Sequence, residues 1–225
     1  MRLLNFKHMY FHSRSEAGEK LADELMPYRY ENCVVAALNY DSLLTAEPIA
    51  ARLHCLLGLF LTEDIDMPGE NMSVGTVNQA GGFLYNRSLS EGERDDYYSE
   101  FHGYIDDQKR EKTERINRLL ADGGAINAEM LREHVVILVS DGLKDPSGLD
   151  SAVEFMKPIK IKRLIVATPI ASIASVDRMH ILADELHCLG VTDNYLDTNH
   201  YYDENVHITN EQAIEKVRNI VLRWR

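Results

Sequence analysis

The chain has 225 residues, 45% hydrophobic and 27% charged, enough for one α/β domain that buries roughly 70% of its unfolded surface without cross-links. Its formal net charge of −12 argues against a general nucleic-acid or anionic-membrane binder, although a local basic pocket for a small anion stays compatible with it. Three cysteines, Cys33, Cys55 and Cys188, sit in or beside apolar runs and read as buried free thiols of a reducing compartment rather than a disulfide framework. The opening Met1–His8 has no apolar stretch of signal-peptide length, and no run approaches the ~20 apolar residues of a membrane span, so a cytoplasmic location is expected.

In chain order, Ala17, Leu21, Ala22 and Leu25 recur at helical spacing and predict a helix over Ser15–Leu25, with Ser13 or Ser15 as N-cap. Cys33–Leu38 is a short continuous apolar run of the kind buried parallel strands show. A helix over Ala46–Leu57 and a strand over Gly58–Leu61 complete the opening of a βαβ unit. Met67–Asn71 is turn chemistry, followed by a predicted hairpin of Met72–Val77 and Gly82–Tyr85. Glu91–Leu120 reads as a long charged helix. Its acid-before-base pairs Asp106→Arg110, Glu111→Arg115 and Glu114→Arg118 suit a solvated arm, or a dimer contact. Asp122-Gly123-Gly124 ends it. A second half follows: strand His134–Val139, helix Ser147–Met156, strand Arg163–Thr168, helix Ser175–Leu186, strand Cys188–Val191, loop Asp193–Asn205 and closing helix Asn210–Trp224. The expected fold is a single α/β domain over 1–225, with a mainly parallel sheet flanked by helices and a hairpin/helix hood inserted at roughly 63–130.

In a parallel sheet, ligands bind beyond the carboxyl ends of the strands, which singles out the segments after Leu38 and Val139. The second runs Ser140-Asp141-Gly142-Leu143-Lys144-Asp145-Pro146-Ser147-Gly148 into a helix, a plausible anion cradle because helix N-terminal N–H groups point at the ligand. Elsewhere, His200, Asp203 and His207 with Asp193 and Asp197 could be drawn as a metal site, but an exposed polar loop explains them more cheaply. His54, His180 and His187 read as ordinary surface or core residues. Asp95-Asp96 and Asp106-Asp107 read as a solvated helix surface. Ser13, Ser42 and Ser147 have no evident His/Asp partner for nucleophilic catalysis.

The chain resembles the type I phosphoribosyltransferases, and more closely a bacterial group of predicted phosphoribosyltransferases. The resemblance is carried by Phe11, Arg14, Ala17, Gly18, Leu21 and Ala22, by Val34–Leu38, by Ser73–Val77, and by Gly81-Gly82. It continues through Val136–Gly142, Val166–Ile170, Ala183–Glu185 and Tyr202-Asp203, nearly the whole chain in order. It implies a type I phosphoribosyltransferase-like fold and transfer of a 5-phosphoribosyl group between 5-phosphoribosyl-1-pyrophosphate (PRPP) and a nitrogenous base, with Mg²⁺. By the same resemblance, Asp141 is the catalytic position on the ribose. Ser140, Asp141, Gly142, Lys144, Asp145, Ser147 and Gly148 form the ribose and 5′-phosphate loop. Asn39, Tyr40, Asp41 and Ser42 stand at the pyrophosphate loop.

Both loops depart from the family pattern. Ser140-Asp141 replaces two consecutive acids. Pro146 removes a backbone donor, Asp145 brings negative charge to the phosphate position, and Lys144 could compensate. Asn39–Ser42 replaces Arg-Gly-Gly, losing a cation and gaining Asp41. Two like charges about 4 Å apart repel by roughly 4 kcal/mol at an effective dielectric near 20, so weakened or lost catalysis is expected. The alternatives are a non-catalytic regulatory protein that binds a nucleotide or phosphosugar, and a purely structural assembly partner. A homodimer is compatible with either.

Overall fold

The computed structural model describes residues 10–69, 73–87 and 89–224. Met1–His8 lies outside the described residues, as do Glu70, Asn71 and Met72 of the expected turn and strand. The main sheet has five parallel strands in the order β2-β1-β6-β7-β8, from Cys33–Ala37 (β1), Leu56–Leu59 (β2), Val135–Val139 (β6), Arg163–Ser172 (β7) and Glu185–Thr192 (β8). Side chains alternate across a strand, so β1 and β6 each feed two cores. Val35, Ala37, Ile137 and Val139 pack under helices α1 (Arg14–Leu25) and α2 (Ser42–Leu53). Val34, Ala36, Val136 and Leu138 pack under α5 (Ser147–Met156) and α6 (Ile173–Leu182). A mainly parallel sheet with helices on both faces is the fold class the sequence predicts.

The insertion forms a second, antiparallel sheet, β3-β4-β5, from Thr62–Asp66, Ser73–Asn78 and Phe83–Tyr85. The hairpin is as expected; β3 was not. Its sequence Thr-Glu-Asp-Ile-Asp is poor in strand formers, and only Ile65 of it is buried. Helix α3 (Glu91–Asp122) packs on this hood, with Ile105 and Ile116 fully buried. Its ion pairs differ from those predicted. Among the described residues Asp106 meets Lys109 and Asp107 meets Arg110, at i,i+3, while Lys112 (3.4 Å) and Arg115 (3.2 Å) reach Glu63 of β3. The helix is therefore anchored to the hood along one side rather than solvated all round.

Several element boundaries differ from those predicted. Asn39 accepts from the Ser42 amide, so α2 starts at Ser42; it ends where His54 turns left-handed (φ 57°), and β2 begins at Leu56. The helix predicted through Leu186 stops at Leu182, because Ala183 is extended and Asp184 bonds the Leu164 backbone both ways, drawing Glu185 and Leu186 into β8. Helices α4 (Ala128–Leu131) and α7 (Asn210–Arg218) complete the set, and a separate 3₁₀ turn at Ile220–Arg223 replaces the end of the predicted closing helix. No helix among the described residues is long and apolar enough to cross a membrane.

Candidate functional site

The chain leaves β6 at Val139 and places Asp141 against the start of α2 and the first turn of α1. Arg14 holds one side of its carboxylate, with Nε 2.8 Å from Asp141 Oδ2 and both side chains almost wholly buried. On the other oxygen, the Ser42 hydroxyl lies 2.9 Å from Oδ1 and 2.8 Å from Asn39 Oδ1, so its single proton serves one acceptor at a time. The Asp141 amide donates back to Ser42 Oγ at 3.1 Å, and the Tyr202 hydroxyl donates to the Asp141 carbonyl. Burial, then the Asp141 charge, raises the Tyr202 phenol pKa, so this hydroxyl keeps its proton. Ser42, read from sequence as lacking an acidic partner, therefore has one; no imidazole completes a nucleophilic relay with it among the described contacts.

Arg14 ties in two more segments. Its Nη2 donates to Asn199 Oδ1 at 2.7 Å and lies 4.0 Å from Asp41, and its guanidinium stacks 4.7 Å from the centre of the Tyr202 ring. Asp41 in turn faces His207 at 2.6 Å. Next to Asp141, a Cβ on Gly142 would fall 2.2 Å from the Tyr195 hydroxyl, so a side chain there would force Tyr195 and Thr198 aside. Ser140 turns inward onto the Gly142 backbone. Tyr40 points elsewhere, its hydroxyl donating to Asn210 at 3.4 Å.

The structure thus divides the predicted residues into two groups. Ser140, Asp141 and Gly142 join Asn39, Asp41 and Ser42 in a closed inner network. Lys144, Asp145 and Ser147 stand further out and face the hood across a cleft of about 500 Å³. Gly148 lies in the first turn of α5 with open space around it. In the cleft, Asp145 Oδ1 accepts from the Ser147 amide at 3.0 Å and also from the Ser147 hydroxyl. The carboxylate occupies donors that would otherwise face an anion at the α5 N-terminus.

Across the cleft, Asp64 of β3 accepts from Thr76 at 2.7 Å. One edge of Asp64 is open to solvent, yet the surrounding protein desolvates it enough to raise its pKa; the Thr76 bond opposes that shift and the nearby Asp145 charge adds to it. Asp150, buried in α5, sits between Arg178 (Nε to Oδ1, 2.8 Å) and Arg87 (Nε to Oδ2, 3.2 Å). Leu84, opposite Thr76 in the hood sheet, supplies an apolar patch, while the Tyr85 ring turns to the other face and packs on Phe83.

Sequence reasoning did not assign Arg14, Asn199 or Tyr202 to a network, nor Asp64, Arg87, Asp150 and Arg178 to a cleft. One signal was available: Arg14 shares a helical face with Gly18, Leu21 and Leu25, so a cation stands on the buried stripe of α1. The residues drawn as a possible metal site serve separate partners: His200 bonds Tyr10, Asp203 pairs with His12, and His207 with Asp41. No group of three or more His, Cys, Asp or Glu is arranged to hold a metal ion among the described residues. Nor does the inner network fit Mg²⁺, which demands oxygen ligands in near-octahedral array, whereas Asp141 already carries a guanidinium.

No protein-family model and no curated protein matches the chain. Among solved structures, purine phosphoribosyltransferase from Pyrococcus horikoshii is 12% identical at a TM-score of 0.44, covering 80% of this chain and 84% of that one. A hypoxanthine phosphoribosyltransferase from Staphylococcus aureus is 14% identical at 0.44, covering 80% and 72%. TT1426 from Thermus thermophilus is 22% identical at a TM-score of 0.66, with 96% of this chain and 99% of that chain covered. Over nearly its whole length, the chain shares the fold of TT1426.

Proposed function

We propose that this chain is a phosphoribosyltransferase-like protein that has lost PRPP-dependent transfer and keeps the hood cleft as a binding site for a small ligand. The observation that carries this reading is the Arg14–Asp141 ion pair. A carboxylate that must hold ribose hydroxyls or a metal has to face the ligand, and here it is buried against a guanidinium and the Ser42 hydroxyl. Opening that pair to admit a substrate would leave one buried charge uncompensated, at a cost of about 3–5 kcal/mol. Asp41 at the pyrophosphate position and Asp145 at the phosphate position each add like charge to what PRPP would bring. The cleft is of the size that small-molecule sites have, roughly 300–1,000 Å³.

Calorimetric titration of PRPP with Mg²⁺ into the purified protein tests this reading. The expected result is no micromolar binding, and no pyrophosphate release when purine and pyrimidine bases are added. Micromolar binding that disappears in Asp141→Asn, or turnover with any base, would sink it.

A further inference from the structure

The cleft has a charge pattern that selects among ligands. Its lining carries three carboxylates, Asp64, Asp145 and Asp150, against two cations, Arg87 and Lys144. Arg87 is committed to Asp150, which Arg178 also holds from behind. Lys144 makes no hydrogen bond or ion pair among the described residues and is exposed at the rim. Asp145 and Asp64 remain, one on each wall, and each keeps acceptor capacity after its bonds to Ser147 and Thr76. The first α5 amide, that of Ser147, is already bonded to Asp145.

We propose that the cleft binds an unphosphorylated ligand of nucleoside size, held through its hydroxyl groups by Asp64 and Asp145, and that it rejects the corresponding 5′-phosphate. Carboxylates accept from sugar hydroxyls without a charge conflict, whereas a phosphate brings close to two negative charges into their field. Leu84, paired with Thr76 on the face of the hood sheet that carries Asp64, offers an apolar contact, and the nearby Thr76 and Ser147 hydroxyls add short-range polar contacts. Lys144, Asp145 and Ser147 stand at positions that the resemblance assigns to a phosphate, yet Asp145 turns that end of the cleft toward hydroxyl donors. The inference rests on the reading that the cleft survives as a binding site after transfer is lost.

Matched pairs isolate the phosphate. The four common ribonucleosides and their 5′-monophosphates would be titrated calorimetrically into the intact protein, together with ribose and ribose 5-phosphate. At least one nucleoside should bind, with its monophosphate at least tenfold weaker. Asp145→Asn and Asp64→Asn keep the hydrogen bonds to Ser147 and Thr76, so both variants should fold, confirmed by unchanged circular dichroism. Each should narrow the discrimination, chiefly by improving the monophosphate. A monophosphate that binds as tightly as its nucleoside overturns the inference, and so does the absence of binding by every nucleoside. The two proposals fail separately: turnover of PRPP breaks the loss-of-transfer reading, whereas the nucleoside-to-monophosphate ratio judges the cleft's selectivity.

Discussion

Arg14→Met removes the guanidinium facing Asp141 and leaves that carboxylate buried without a counter-charge, so the variant should lose about 3–5 kcal/mol in urea denaturation. A cycle with Asp141→Asn should show strong coupling, because the two groups share one network. His187 offers a different residue-scale test. Both its ring nitrogens face carboxylates, Nδ1 to Glu24 of α1 at 3.1 Å and Nε2 to Glu185 at 2.9 Å, and a neutral imidazole can donate to only one of them. Tyr28 also bonds Glu185, with Arg163 beside it, which fixes the second carboxylate. Burial pulls the His187 pKa down, but the bonds to Glu24 and then Glu185 outweigh it, so the net shift is upward. The stabilisation is therefore fully present below the unfolded value of about 6.5 and is lost as pH rises through the higher folded value. The wild-type melting temperature should fall across that window, and His187→Gln should flatten the profile. From sequence, His187 looked ordinary, since nothing local reveals that residues 24 and 185 will meet.

At the scale of elements, α1 and α2 approach closely at Gly18. A Cβ on Gly18 would lie 2.3 Å from the Thr45 carbonyl oxygen, and a backbone atom cannot move aside as a side-chain tip can. Gly18→Ala should therefore destabilise by about 1–3 kcal/mol despite alanine's better helix propensity, which is worth roughly 1 kcal/mol the other way. Thermal unfolding checks the sign. The elements that were legible were those whose apolar residues run continuously or recur at helical spacing. The continuous apolar runs of β1 and β6 and the helical stripe of α1 announced themselves. The β3 strand did not, because it is recruited by pairing with β4 and not by its own composition. The border between α6 and β8 was lost for a related reason. Ala183-Asp184-Glu185-Leu186 suits either state until Asp184 bonds the Leu164 backbone.

For the molecule as a whole, the sheet order and the two-faced core follow from the alternation of strands and helices along the chain, while the closing of the inner network does not. That network collects Arg14, Asn39, Ser42, Asp141, Asn199 and Tyr202 from four distant stretches, and residue types alone could mark Asp141 as chemical without showing that Arg14 covers it. The net charge of −12 makes a separate global statement. Self-repulsion should be screened by added salt, so the melting temperature should rise between low and physiological ionic strength, and a fall would mean that the ion pairs dominate. The network also has an order in time. Phe11 is hydrogen-bonded to the backbone on either side of Tyr202, and Arg14 waits for Asn199, 185 residues later. At a synthesis rate of about 5–20 residues per second, that wait is on the order of 10–40 s. The Asp141 carboxylate that neutralises Arg14 is made 127 residues after it, and Asn199 and Tyr202 come last, so the network around the N-terminal helix should be complete only after the C-terminal loop has left the ribosome.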